Sequence, residues 1–292
     1  MKHAPLSPDD AADVARMWRA CELHDDGRAL ITQEDIVAVL QRPSMDRERD
    51  TVVARDGDEV VAFGMLHGER FVFANVLPSH RGRGIGAWLL RWTEDAGRAA
   101  ARTWSCQKLS ENKHAAIALL EAAGYERRWE DWTFDIELAH EPDPPALPPG
   151  YAIRAFLSGR DDRDVHRVIE EAFGEWPDAE EDAFDDWAAQ ALGRPGFAPE
   201  HIGVAVRGDE IVGAAVLIVE EEDVWVGQLA VARAHRGRGL ARALLVYAFA
   251  SAWRFGRRHV GLSTDARTGA RGLYEHVGMR VTRTSREYAK RL

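Results

Sequence analysis

Two six-residue segments, Arg81-Gly82-Arg83-Gly84-Ile85-Gly86 and Arg236-Gly237-Arg238-Gly239-Leu240-Ala241, carry the residue types of a phosphate-binding loop. Glycine reaches φ > 0 without steric cost, so each segment can turn successive N–H groups inward. A helix starting behind such a loop adds about half a positive charge at its N-terminus. The result is a nest for phosphate oxygens, to which Arg81, Arg83, Arg236 and Arg238 can add donors. Two familiar nucleotide motifs are excluded. Gly82-x-Gly84-x-x-Ala87 has dinucleotide spacing, but Arg242 stands where the second copy would need Gly or Ala, and no acid closes the next strand for a ribose. No Gly-x4-Gly-Lys-Ser/Thr is present. What remains is a diphosphate held after a meander of strands.

The elements that must position these loops come in two matching sets. His-Arg-Gly-Arg-Gly occurs at 80–84 and again at 235–239, an offset of 155 positions. Leu-Leu-Glu-Ala-Ala-Gly (119–124) aligns with Leu-Tyr-Glu-His-Val-Gly (273–278), and Asp13-Val14-x-Arg16 with Asp164-Val165-x-Arg167. Between the sets, residues 141–150 hold five of the twelve prolines, an extended and semi-rigid run that neither helix nor sheet accommodates. The chain therefore reads as a duplication, with domains at 1–140 and 151–292. In the first copy the patterning predicts strands near 51–55, 59–66 and 70–77, a helix at 86–100, a strand at 103–109 and a helix at 112–123. In the second it predicts a strand near 152–156, helices at 162–173 and 178–192, and strands at 201–206, 211–219 and 224–231. A helix at 240–254, a strand at 259–264, a helix at 269–276 and a β-rich stretch at 279–290 follow. Hairpin-connected strands followed by alternating helices and strands imply an α/β fold with a mixed sheet flanked by helices.

Composition excludes other classes. The 292 residues carry 48 acids against 38 Lys and Arg, a formal charge of -10, which argues against a nucleic-acid partner. No apolar stretch is long enough to span a bilayer, so no membrane partner is expected, and the amino terminus has no signal-peptide core. Two cysteines, Cys21 and Cys106, are too few for a disulfide framework or a zinc site and fit a reducing cytoplasm.

The pattern Arg-x-x-Gly-x-Gly/Ala after an apolar strand, with Leu-Tyr-Glu-x-x-Gly-Met closing a later helix, resembles the acyl-CoA-binding core of the GNAT acetyltransferases. The resemblance covers both halves, and the tandem layout is similar to that of the two-domain mycothiol synthases in architecture. It implies two GNAT-like domains and acetyl-CoA as cofactor, its diphosphate at Arg81–Gly86 and Arg236–Ala241. It also implies a pantetheine arm beside the preceding strand, on the main chain of Leu229, Ala230 and Val231 and, in the first copy, near Val76. Many members carry a tyrosine where this chain has Tyr274, and it protonates the departing thiolate. A phenol of pKa about 10 is protonated at neutral pH and can do so. The counterpart in the first copy is Leu120, which has no proton to give, so the C-terminal domain is expected to be catalytic and the N-terminal one degenerate. Relatives often have Asn eight residues before the tyrosine. Asn112 fills that place in the first copy, where the resemblance makes it a cofactor contact, and Ala266 in the second.

Acetyl transfer to an amine also needs a proton acceptor, because an amine of pKa about 10.4 is free at pH 7 in only about one molecule in a few thousand. Asp223, Asp265, His235 and, through a water, Gln228 border the loop, and none stands out; His235 recurs as His80, which points to a structural role. From Glu170 to Asp186 there are nine acids and no Lys or Arg. Such a field suits a cationic small-molecule amine, or else is a solvated helix face. Phe184 and Trp187, three apart, share a helical face of core type. Arg280, Arg283, Arg286, Lys290 and Arg291 read as a solubilised sheet edge. The expected function is acetyl transfer from acetyl-CoA to a primary amine. The alternatives are protein lysine or N-terminal acetylation, and an acyl-CoA-binding sensor without turnover.

Overall fold

Each glycine-rich loop lies within one of two structural units, Met1–Asp131 with Arg283–Leu292, and Trp132–Thr282. The computed structural model describes residues 1–176, 179–180 and 182–292.

The first unit begins with β1 (Lys2–Ala4), α1 (Ala11–Asp26), α2 (Gln33–Leu40) and α3 (Arg47–Asp50). Strands β2 (Thr51–Asp56), β3 (Glu59–His67) and β4 (Phe71–Val76) form a meander, then come α4 (Ile85–Ala99), β5 (Trp104–Ser110), α5 (His114–Ala122) and β6 (Glu126–Glu137). Local chemistry sets several boundaries. Gly27, at φ 74°, ends α1, and the Thr32 hydroxyl and Asp35 carboxylate form a reciprocal cap that starts α2. Helix α1 buries Val14, Met17 and Cys21 against Phe63 and Met65. On the other side of the same strands, Leu89 of α4 packs on Val52, Ala54 and Ala62. Each such side chain contributes about 1.5–3 kcal/mol on full burial.

The second half repeats this order with β7 (Tyr151–Ala155), α6 (Asp162–Phe173), α7 (Phe184–Ala191), β8 (Ile202–Arg207), β9 (Glu210–Val219) and β10 (Asp223–Val231). Then follow α8 (Leu240–Arg254), β11 (His259–Asp265), α9 (Arg271–His276) and β12 (Arg280–Arg291). Val165, Val168, Ile169 and Trp187 cover one side of β8–β10, and Leu240 and Leu244 of α8 cover the other. The mixed sheets and flanking helices are those expected from the patterning. Helix α7 is shorter than the 178–192 reading, whose first residue, Asp178, lies outside the described residues. No helix among the described residues is long and apolar enough to cross a membrane.

The units are not the two chain halves. Arg283–Leu292, the end of the second half, belongs to the first unit, where β12 pairs antiparallel with β5 from Ser285↔Ser110 to Arg291↔Trp104. Conversely, Trp132–Glu137 of β6 belongs to the second unit, where the Leu138 N–H donates to the Arg258 carbonyl at 2.7 Å. The physical reason is that an exposed strand needs a hydrogen-bonded neighbour, and the last strand of either copy can supply one. The exchange also corrects the reading of the basic terminal strand as an edge. Arg286 pairs with Glu111 and Glu130, Arg283 lies 3.6 Å from Asp26, and Lys290 lies 2.9 Å from Glu94.

Two predictions follow from this packing. Tyr288, on β12, is buried with Leu90, Leu109, Leu120 and Tyr125. Tyr288→Ala should cost about 3–5 kcal/mol and strip amide protection from β5 and α5 in hydrogen exchange, leaving α8 and β11 protected. Tyr125 donates to Ser105 Oγ at 2.8 Å, and burial pushes its phenol up to about 12. An unfolded tyrosine ionises near pH 10, so this contribution to stability is complete below about pH 10 and is lost as pH rises toward 12, by up to about 1.4 kcal/mol per pH unit. Urea unfolding of Tyr125→Phe should show a flatter decline over that window.

Candidate active site

The site in the second unit starts from a break in strand pairing. Strands β10 and β11 pair in parallel at Asp223↔His259, Val224↔Val260 and Trp225↔Gly261, where the ladder ends. At the next step, between Val226 and Gln228, the pairing of β10 with β9 shifts register, which leaves Gly227 as a bulge. Beyond it Gln228, Leu229, Ala230 and Val231 stay paired to Val216, Ala215, Ala214 and Gly213 on one side only. Their other main-chain edge faces the gap that opens toward β11. Backbone donors and acceptors on such an edge call for a partner, and the amide groups of a pantetheine arm fit that need.

At the end of β10 the chain turns into the glycine-rich loop. Gly237 has φ 72° and Gly239 φ 82°, a left-handed conformation in which side chains other than glycine are strained. An added Cβ would meet nothing within 4 Å at either position, so positive φ and not crowding is what calls for glycine there. Helix α8 begins at Leu240 without a side-chain cap, leaving first-turn N–H groups free of intrahelical partners. The first unit repeats this with Gly82 at φ 77°, Gly84 at φ 80° and α4 starting at Ile85 and Gly86. Loop and gap both fit coenzyme A.

The arginines divide their work in a way that the motif did not reveal. Arg236 Nε donates to the Val231 carbonyl at 2.9 Å and its Nη1 to Glu175 at 2.8 Å. Arg81 likewise reaches the Val76 carbonyl at 3.1 Å and both oxygens of Asp25. The first arginine of each loop thus braces the loop on the preceding strand; all four loop arginines are exposed, and Arg238 Nη2 donates to the Ala234 carbonyl at 3.4 Å. His235 is buried and hydrogen-bonds the Tyr151 hydroxyl through Nδ1 at 2.9 Å, a structural contact.

Tyr274, on α9, is 7% exposed among Phe134, Leu262 and Met279. Its ring centroid lies 5.3 Å from that of Phe134, which arrives on the exchanged strand. Burial holds its phenol above the usual range, and a hydrogen bond with the Thr264 hydroxyl offsets part of that rise. Thr264 in turn meets the Thr268 hydroxyl at 3.0 Å, which donates to the Asp265 carbonyl at 2.9 Å. The phenol is therefore a fixed, protonated group at neutral pH.

The other candidates are engaged elsewhere. Asp265 holds Arg267 at 2.6 Å. Asp223 lies 3.3 Å from His259 Nδ1, and His259 Nε2 lies 3.8 Å from Asp135, a grouping hidden from the sequence because Asp135 sits in the other half. Gln228 Oε1 accepts the indole N–H of Trp187 at 2.9 Å. The period-three spacing of Phe184 and Trp187 indicated burial but not this bond. Of the acids, Glu171 pairs with Arg167, Glu175 with Arg236, and Glu170 accepts the Asp182 N–H. Asp185 is exposed and Asp186 buried, while Asp178 and Glu181 lie outside the described residues. In the first unit Leu120 is buried where the other unit has Tyr274, and Asn112 Nδ2 donates to Asp26 at 3.2 Å.

Comparison with known proteins agrees with this arrangement. Residues 163–279 match the acetyltransferase (GNAT) family and residues 47–127 the acetyltransferase (GNAT) domain. The chain is 30% identical over 290 residues to the mycothiol acetyltransferase of Thermobispora bispora, covering 93% of each chain. It is 29% identical to that of Geodermatophilus obscurus, covering 94% of this chain and 92% of the relative. Among solved structures it resembles a GCN5-related N-acetyltransferase from Sphaerobacter thermophilus with a TM-score of 0.78 and 29% identity, covering 99% of this chain and 95% of that one. A tandem GNAT protein from the clavulanic acid biosynthesis pathway shares the fold with a TM-score of 0.76 at 18% identity, covering 99% of this chain and 98% of that one. With one match over each glycine-rich loop, the 163–279 match also spanning Tyr274, and a relative 30% identical over nearly the whole chain, the chain belongs to the GNAT acetyltransferase family: it is an acyltransferase of two tandem GNAT domains that uses acetyl-CoA.

Proposed function

We propose that the second unit transfers the acetyl group of acetyl-CoA to the primary amine of a small molecule by direct attack, with Tyr274 as general acid. The observation that carries this reading is the gap between β10 and β11, which has the glycine-rich loop at its end and the buried phenol of Tyr274 held by Thr264 on β11. Acetyl-CoA supplies an activated acyl carbon and a thiolate leaving group. In this reading Gly237 and Gly239, with the first-turn N–H groups from Leu240 and Ala241, receive the diphosphate, and Arg238 adds a donor. The main chain of Leu229–Val231 holds the arm, and Tyr274 hands its proton to the departing sulfur. The relatives named as mycothiol acetyltransferases support a small-molecule acceptor. Use of acetyl-CoA and the two buried thiols Cys21 and Cys106 support a cytoplasmic setting.

Tyr274→Phe should lower kcat by about 10²-fold or more with acetyl-CoA affinity unchanged, measured over a panel of primary amines. An unchanged kcat would remove Tyr274 from the chemistry, and tight acetyl-CoA binding without turnover of any amine would favour a sensor. The phenol is active when protonated, and its folded pKa is raised. The wild-type rate should therefore hold through pH 9 and fall only above about pH 10, a decline absent from Tyr274→Phe. Thr264 acts as a positioning residue. Thr264→Val removes the bond that offsets the rise, so it should move that decline to higher pH while lowering kcat severalfold.

A further inference from the structure

We propose that the corresponding gap in the first unit is closed by its own side chains, so that the chain takes a single acetyl-CoA, in the second unit. The inference rests on the reading above, in which the acyl arm enters between the two parallel strands beyond their last pair. In the first unit β4 and β5 pair in parallel at Phe71↔Cys106, and the gap again opens toward the loop. Here, however, it is spanned. Lys113, at the start of α5, donates from Nζ to Asn75 Oδ1 on β4 at 3.1 Å. The same Nζ lies 3.8 Å from Asp25, whose side chain is only 5% exposed and is held by both terminal nitrogens of Arg81. Beside it Asp26, 6% exposed, accepts from Ser110 and Asn112. The end of α1 is thereby tied to β4, β5 and α5 at once. The Val76 carbonyl, besides the arginine brace that both units share, also accepts from Cys21 Sγ at 3.4 Å.

The second unit provides the control, because the same positions carry different residues. Asn75 corresponds to Ala230, which has no polar side-chain atom. Lys113 corresponds to Arg267, whose guanidinium turns back onto Asp265 at 2.6 Å. The role of Asp25 falls to Glu175, which is 33% exposed. Strand β4 also lacks the bulge of β10, since its ladder with β3 runs without a shift from Phe71↔His67 to Val76↔Ala62. Asn112 and Val76, expected from the sequence to touch the cofactor, instead serve this closure.

Equilibrium dialysis with labelled acetyl-CoA tests the proposal. Wild type and Gly84→Trp should each bind one equivalent, and Gly239→Trp should bind none. The double variant Asn75→Ala/Lys113→Met, with its turnover unchanged, should gain a second equivalent. Two equivalents on wild type would overturn the closure while leaving the second unit as the active one. One equivalent lost with Gly84→Trp but kept by Gly239→Trp would overturn both. A double variant that is fully active yet binds one equivalent would show that Asn75 and Lys113 are not what closes the gap. Should the double variant fail to fold, the wild-type stoichiometry and the two glycine variants still decide whether the first unit binds.

Discussion

The ladder between β10 and β11 stops at Trp225↔Gly261, and the rest of the site depends on that stop. A strand inside a sheet is ordinarily bonded on both sides, and buried backbone groups left without partners are costly. After the bulge at Gly227, β10 keeps β9 and gives up β11, so that a row of main-chain groups is offered to a ligand. The surrounding elements form the walls of the opening. The glycine loop follows directly from the end of β10, Thr264 lies on β11, and Tyr274 follows on α9. A short run of chain in this order brings together two positive-φ glycines, a strand edge beyond its last parallel pair and a buried phenol.

The duplication allows the two loops and their surroundings to be compared residue by residue. Both copies keep Arg-Gly-Arg-Gly, both turn the two glycines to positive φ, and both use the first arginine as a brace to the strand before it. They differ in the residues beside the loops, where Lys113 bonds Asn75 in one unit and the corresponding Arg267 holds Asp265 in the other. A buried charge network of the kind around Asp25 and Asp26 is weak evidence of net stability, yet removing one partner from it is expensive. The phenol of Tyr274 illustrates the opposite use of burial. Its apolar surroundings disfavour the charged form and keep the phenol protonated.

Much of this was legible in the residues because it depends on local rules. Glycines between an apolar strand and a helix indicate a loop wherever they occur, and helix periodicity placed α6 and α8 at 162–173 and 240–254, as observed. The burial of Trp187 followed from its spacing to Phe184. Less local features were not legible. The helix α1 and the strand β6 went unread in the first half. The pairing of Trp187 with Gln228, and the approach of His259 to Asp135, require knowing which strands are neighbours.

By itself the sequence determined the duplication, the two glycine-rich loops, the family and the asymmetry of Tyr274 and Leu120, since each is written in residues close together along the chain. Only the tertiary structure decided that the last strands change places between units, that Arg81 and Arg236 serve the protein, and that Asp25, Asn75 and Lys113 meet across a gap. The reason is that strand exchange satisfies the same backbone hydrogen bonds as the unexchanged pairing, so no local pattern distinguishes them. A charge network between residues as distant as 25 and 113 likewise leaves no periodic trace, because its members are brought together only when the sheet and helices have assembled.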